Sequence, residues 1–307
     1  MPDEDGALAT APGPVSTAGA LFPALITGFG LGSMYGLTAL GYYITYASSR
    51  TVNFAQGSTL MLGAVLVFTL QMRLGWPALA AIAAALLACA AWSVLVDLLA
   101  VRPFAARQSD AWLMATVALG LILENVVLFT FGKDPRGLNS PLAAAGFDLA
   151  GLRISALQVL IPIVGFAIAG LLHGLMRFTT YGKQLLAVAQ NADAARLMGI
   201  DPSKMITATF AVAGVFAGIA GIMIAPLYTV SAGMGTVFGI KAFAAAILGG
   251  IGGPWAVMGG GVLLGVLEAV IVAQLGSTYA QMLSFLAVIL VLALRPRGLF
   301  GRASIGG

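Results

Sequence analysis

Eight apolar runs, near 21–47, 54–72, 76–101, 111–132, 155–176, 205–230, 255–275 and 277–294, set the terms on which this chain can fold. At 1.5 Å of rise per residue, about 20 apolar residues in a helix cross the hydrocarbon of a bilayer. Each run therefore predicts a membrane-spanning helix. A ninth segment, 236–253 (TVFGIKAFAAAILGGIGG), carries Lys241 and closes on a glycine cluster, so it reads as a full span, a tilted one or a broken helix. The expected fold is all-α: a polytopic integral membrane protein with eight to nine transmembrane helices. Residues 21–302 form a single transmembrane domain, 1–20 a disordered N-terminal tail that is acidic and Pro/Gly-rich, and 303–307 a C-terminal tail.

Composition excludes the soluble alternatives. Of 307 residues 60% are hydrophobic and 8% charged, with a mean hydropathy of +1.01. The formal charge of +4 arises from basic residues placed singly between apolar runs, which argues against nucleic acid and reports topology instead. With the N-terminus outside and nine spans, the inner loops hold Arg50, Arg102, Arg107, Arg177, Lys183, Arg196, Lys204, Arg295, Arg297 and Arg302. The outer ones hold only Arg73, Lys133, Arg136 and Arg153. Glycines recur at four-residue intervals: Gly28, Gly32 and Gly36, then Gly214 with Gly218, Gly249 with Gly253, and Gly261 with Gly265. In lipid such spacing lets helix backbones approach closely, so these positions predict helix packing.

One long polar interruption, Arg177–Lys204, has to lie in water. Leu185, Leu186, Val188, Ala189, Ala192, Ala195, Leu197, Met198 and Ile200 recur there at roughly helical spacing, with Lys183, Gln190, Asn191, Asp193 and Arg196 between them. The pattern predicts a short amphipathic helix over Gln184–Ile200, stopped at Gly199 and barred from simple continuation by Asp201-Pro202. An apolar stripe outside the bilayer needs a cover, either the protein's own ends or another protein.

Residues able to do chemistry are few. Cys89 and His173 are the sole members of their types, which excludes an intramolecular disulfide and any multi-histidine or multi-cysteine metal site within the chain. There is no phosphate-binding G-x-x-x-x-G-K-[ST] loop, no HExxH and no G-x-S-x-G, so neither ATP hydrolysis nor another enzymatic activity is expected. Ionisable groups inside spans are Asp97, Glu124, Lys241 and Glu268, each a functional-site hypothesis because burying it is costly. Asp97 is placed to pair with Arg102 near the inner interface, and Lys241 to snorkel. Glu124, mid-span beside Asn125, suits either a solute path or a structural hydrogen bond. Asn53, Gln56 and Ser58 follow the break at Arg50, where polar groups serve a discontinuous helix or contact a solute.

The stretch Asp193-Ala194-Ala195-Arg196-Leu197-Met198-Gly199 resembles the EAA loop of ATP-binding-cassette importer permeases, with Asp in place of the usual Glu. NFAQGSTLMLGA at 53–64, KAFAAAILGGIGGPWAVMGGGVLLG at 241–265 and LRPRGLFGR at 294–302 look like branched-chain amino acid permeases of the LivH type, a resemblance that runs from about 24 to 302. It implies an inner-membrane importer subunit that holds no cofactor itself. Its partners would be two ATPases that bind ATP and Mg, a second permease, an extracytoplasmic solute-binding protein and membrane lipid. Gln184, Asp193, Ala194, Ala195, Arg196 and Gly199 then become the ATPase-coupling residues, and Asn53, Gln56, Ser58, Glu124 and Asn125 the candidate solute path. Relatives often carry His and Glu at 56 and 58 and an amide at 124, which leaves urea or short amides as alternative solutes. An ion-coupled secondary carrier would show no ATPase dependence, and a non-transporting scaffold would show no uptake.

Overall fold

The structure is a computed structural model that describes residues 17–105, 109–138, 140, 143, 145–149, 152–295 and 298–301. The chain-terminal tails foreseen at 1–20 and 303–307 fall largely outside these residues, as do Arg107, Arg297 and Arg302; helix α1, however, already begins at Thr17.

α1 (Thr17–Ser49) is the central post. It runs antiparallel to α11 (Pro254–Leu275) along a seam where glycines let the two backbones approach closely. A Cβ built on Gly28 would lie 2.7 Å from Val266 Cα, and one on Gly32 2.6 Å from the Gly261 carbonyl oxygen. Gly261 and Gly265 in turn face the backbones of Gly36 and Gly32. Lipid supplies no hydrophobic force between apolar helices, so association depends on this kind of backbone-to-backbone dispersion contact. α1 ends where Arg50 adopts φ +57°, and the Asn53 side chain then accepts from the Ala55 N–H at 3.0 Å to open α2 (Gln56–Phe68).

α2 is almost wholly buried. It continues through a π turn, Thr69–Arg73, before the chain returns as α3 (Ala78–Val96), a second π turn (Asp97–Val101) and α4 (Arg102–Ala105). α5 (Trp112–Phe131) follows, then a short antiparallel hairpin, β1 (Gly146–Leu149) with β2 (Leu152–Ser155). Ser155 and Gln158 form a capping box that starts α6 (Ala156–Phe178). Two short helices, α7 (Thr180–Gln190) and α8 (Ala192–Leu197), lead to α9 (Pro202–Ile224), α10 (Met234–Gly249), α11 and α12 (Ser277–Leu294).

Among the described residues, seven helices are long and apolar enough to cross a membrane; α2 and α10 are shorter and sit among the others. Counting both, the chain makes nine passes in alternating direction. Arg102 donates to the Ser203 carbonyl at 3.0 Å at one end, while Arg73 donates to the Phe131 carbonyl at 3.4 Å at the other. Arg50, Arg102, Arg177, Lys183, Arg196, Lys204 and Arg295 thus share one end, which the positive-inside rule assigns to the cytoplasm.

The ambiguous ninth segment is one short, continuous helix, Met234–Gly249. α10 starts deep in the bundle, where a Cβ on Gly235 would meet Glu124 Oε1 at 2.8 Å and the Gly57 carbonyl at 3.0 Å. It stops at Gly250, which takes the left-handed conformation (φ +88°). The approach to it is tied down by a two-hydrogen-bond bridge between Arg136 and Val230. Gly249 packs tightly against Ala256, but a Cβ on Gly253 would meet nothing within 4 Å, so this position is not a close helix contact; α10 has ended before it.

Candidate functional site

Three carboxylates lie within the bundle, and their surroundings separate them. Asp97 is fully buried and accepts from Arg102 Nε at 3.1 Å and from Thr207 Oγ1 at 2.8 Å, the interfacial pair that its spacing predicts. Glu268 accepts from Tyr35 at 3.0 Å and from Lys241 at 2.5 Å. Lys241 therefore does not snorkel: the α10–α11 contact brings it a counter-ion inside the bundle, and both side chains are nearly covered, at 12% and 11% exposed. Glu124 has no such partner. Its two oxygens each lie 2.8 Å from Thr236 Oγ1, and among the described residues no basic side chain pairs with it.

Glu124 faces a cavity of about 280 Å³ between α1, α2, α5 and α10. Ser58, Tyr42, Phe54, Phe243, Val117 and Ile240 also line it, and Gly57, Gly120, Gly235 and Gly239 let the backbones close around it. Of the five path candidates, Ser58 and Glu124 reach this cavity. Asn53 serves the turn before α2, Gln56 Nε2 donates to the Ala213 carbonyl at 2.8 Å in the α2–α9 seam, and Asn125 bonds back to the Leu121 carbonyl on the outer face of α5. The reason is rotational: on a helix, neighbours in sequence point about 100° apart, so Asn125 cannot share the Glu124 face. Sequence reasoning missed Tyr42, Thr236, Phe54 and Phe243. The Thr236 signal was its place in the first turn of an apolar helix, opposite an unpaired acid.

At the cytoplasmic end the expected single helix over Gln184–Ile200 is two helices. Asn191 breaks it, and its side chain accepts from the Asp193 and Ala194 N–H groups at 3.0 and 2.9 Å, a cap for α8. Gly199 ends α8 with φ +81°, and Asp201 caps α9 through the Ser203 and Lys204 N–H groups at 3.0 and 3.3 Å. The apolar stripe divides. Leu185, Val188 and Ala195 are buried against the protein's own helices, whereas Leu197 and Met198 are 90% and 82% exposed. Gln184, Asp193, Ala194, Arg196 and Gly199 are exposed as well, Asp193 and Arg196 forming a solvent-facing pair at 3.2 Å. Beside this elbow opens a cleft of about 760 Å³ bounded by His173, Arg177, Leu186, Trp255 and Phe300.

The arrangement suits a transport protein: a short helix beside a mostly apolar cavity that holds one carboxylate inside, and a solvated elbow outside. The family model for the permease component of branched-chain amino acid transport systems matches residues 24–293. The chain belongs to that family. It is 31% identical over 297 residues to the high-affinity branched-chain amino acid transport system permease protein BraD of Pseudomonas aeruginosa, covering 92% of this chain and 96% of that protein. It is 30% identical over 294 residues to the corresponding permease LivH of Escherichia coli, with the same coverage, and 28% identical over 284 residues to a probable LivH of the archaeon Methanocaldococcus jannaschii. Among permeases, weaker similarity reaches an L-arabinose ABC transporter permease of Azospirillum brasilense, over 50% of this chain. This permease component is accordingly a multi-pass transport subunit whose cavity and elbow are the parts to explain.

Proposed function

We propose that this chain is the membrane permease of an ATP-binding-cassette importer that carries branched-chain or other hydrophobic amino acids across the inner membrane. In this reading ATP and Mg bind to two separate ATPase subunits, a second permease completes the path, and an extracytoplasmic binding protein delivers the solute. The observation that carries it is the elbow: Leu197 and Met198 project into water from helices whose other apolar residues are anchored on the bundle. Exposed apolar side chains on a braced element fit a partner that grips and moves them. A partner shifts an equilibrium only by binding its two states differently, so the elbow has to move relative to the path when the ATPases close. The seven-residue stretch Asp193–Gly199 is the gripped part, with Gln184 at its flank.

Reconstitution in proteoliposomes with candidate ATPases and binding protein, across a panel of amino acids and amides, tests the reading. Solute-stimulated ATP hydrolysis and ATP-dependent uptake of leucine, isoleucine or valine are expected. Uptake that follows an ion gradient without ATPases would refute it.

A further inference from the structure

Among the described residues, two of the three acids within the bundle have a resident cation and the third does not. Asp97 has Arg102 and Glu268 has Lys241, but Glu124 has only the Thr236 hydroxyl, and it fronts a cavity rather than a packed interface. A carboxylate carries about four lone-pair sites, so one hydroxyl leaves most of its accepting capacity unused. Holding a charge within a span without a counter-ion is costly, which is why such residues mark functional paths. The cavity is also shaped for a particular visitor. Tyr42, Phe54 and Phe243 form an aromatic wall, with Phe54 and Phe243 centroids 5.0 Å apart and Tyr42 and Phe243 5.6 Å apart. Aromatic rings attract cations, and Val117, Leu121 and Ile240 offer apolar surface beside them. Its volume, about 280 Å³, is at the lower end for small-molecule sites.

We propose that Glu124 holds the ammonium group of the transported solute within the path. The solute's ammonium is the counter-ion that the fold leaves out. Gly235, whose Cα hydrogen faces Glu124 Oε1, keeps the carboxylate turned into the cavity, because a side chain there would press against it.

This inference rests on the importer reading, and the experiment separates the two. Leucine uptake is measured in proteoliposomes holding the whole complex with saturating binding protein, normalised to inserted permease, for wild type, Glu124→Asp, Glu124→Gln, Glu124→Cys and the outward-facing control Asn125→Ala. Glu124→Gln is expected to lose about tenfold or more of the uptake rate, since charge-assisted hydrogen bonds are roughly twice as strong as neutral ones. Glu124→Asp keeps most of the rate and Asn125→Ala keeps all of it. Glu124→Cys regains uptake when a sulfonate-bearing methanethiosulfonate restores the negative charge, and stays inactive with the trimethylammonium reagent. The single native cysteine, Cys89, is buried and provides a silent background, with the treated wild-type complex as control. A wild-type complex that takes up no leucine sinks the importer reading. Wild-type uptake with Glu124→Gln running at the same rate, or with both reagents acting alike on Glu124→Cys, overturns this assignment alone.

Discussion

Replacing Lys241 with methionine leaves Glu268 charged among helices α1, α10 and α11 with one remaining bond, from the Tyr35 hydroxyl at 3.0 Å. Removing one member of a buried ion pair costs about 3–5 kcal/mol, because the survivor stays buried and uncompensated. At 2–4 °C per kcal/mol, this corresponds to a fall in the unfolding temperature on the order of 10 °C. Glu268→Leu should destabilise by a similar amount, since it strands Lys241, whose side chain is only 12% exposed, without a counter-ion. The double variant Lys241→Met/Glu268→Leu removes both charges and should recover most of the loss, as buried pairs replaced by apolar residues of similar size are often neutral. Tyr35→Phe takes away one charge-assisted hydrogen bond, about 1.5–3 kcal/mol, and falls between. The assay is the temperature at which the purified complex loses its monodisperse elution peak. Single variants as stable as wild type, or a double variant as weak as either single, would refute the reasoning.

Other positions make equally direct tests. Gly32→Val forces a side chain into the Gly261 carbonyl and the Val262 backbone, neither of which can swing aside; it should cost about 1–3 kcal/mol and lower the yield of folded protein, while Gly174→Val, with nothing within 4 Å, should not. Gly199 has open space around it but φ +81°, so its replacement strains the backbone rather than the packing. Gly199→Val should lose about 1–2 kcal/mol locally and lower the solute moved per ATP, Gly199→Asn less so; equal coupling in both would remove the elbow from the mechanism. Asp201 has its acidity strengthened by the Lys204 N–H bond first; desolvation opposes this, and the Ser203 N–H and the Lys204 charge add to it, so the net shift is downward. A lowered folded pKa means the cap's stabilisation is complete above the ordinary aspartate value of about 4 and is lost as pH falls through the folded value. Amide-exchange protection at Ser203 and Lys204, corrected for intrinsic rates, should therefore fall in acid for wild type and stay flat for Asp201→Asn.

The helices were legible in the sequence because twenty-residue apolar runs admit few other structures in lipid, and the glycine spacing in α1 and α11 was legible as a groove. Their pairing with each other was not, since many helices here carry glycine and spacing alone names no partner. The break at Asn191 was missed for a related reason. Apolar residues recur at helical spacing on both sides of it, and only the capping geometry of its side chain shows that the run is two helices. Lys241 looked like a snorkelling residue because its counter-ion, Glu268, is 27 positions away and is met only through the α10–α11 packing. Glu124 stood out from sequence because an acid in mid-span is rare; that it alone lacks a cation became visible only when the other two acids had found theirs.

The divided stripe of the elbow bears on how a gripping partner could act at all. A helix lying free in water would absorb any push by pivoting at its ends, whereas one buried along its whole apolar face would offer nothing to hold. Here Leu185, Val188 and Ala195 fix α7 and α8 to the bundle, and Leu197 and Met198 stay outside. Only Met198, Gly199, Ile200 and Asp201 separate α8 from α9. The base of α9 is clamped to α3 and α4 by Arg102, which reaches the Ser203 carbonyl, Thr207 and Asp97. Farther along, α9 meets α2 with backbone against backbone at Gly63 and Gly218, and Gln56 donates across to Ala213. Close-packed contacts of this kind transmit displacement instead of cushioning it. α2 carries Ser58 into the cavity and lays Gly57 against α10 beside Glu124. Tilting α9 at its base would therefore move one wall of the cavity relative to the carboxylate on α5, the relative motion that binding a solute on one side and releasing it on the other requires.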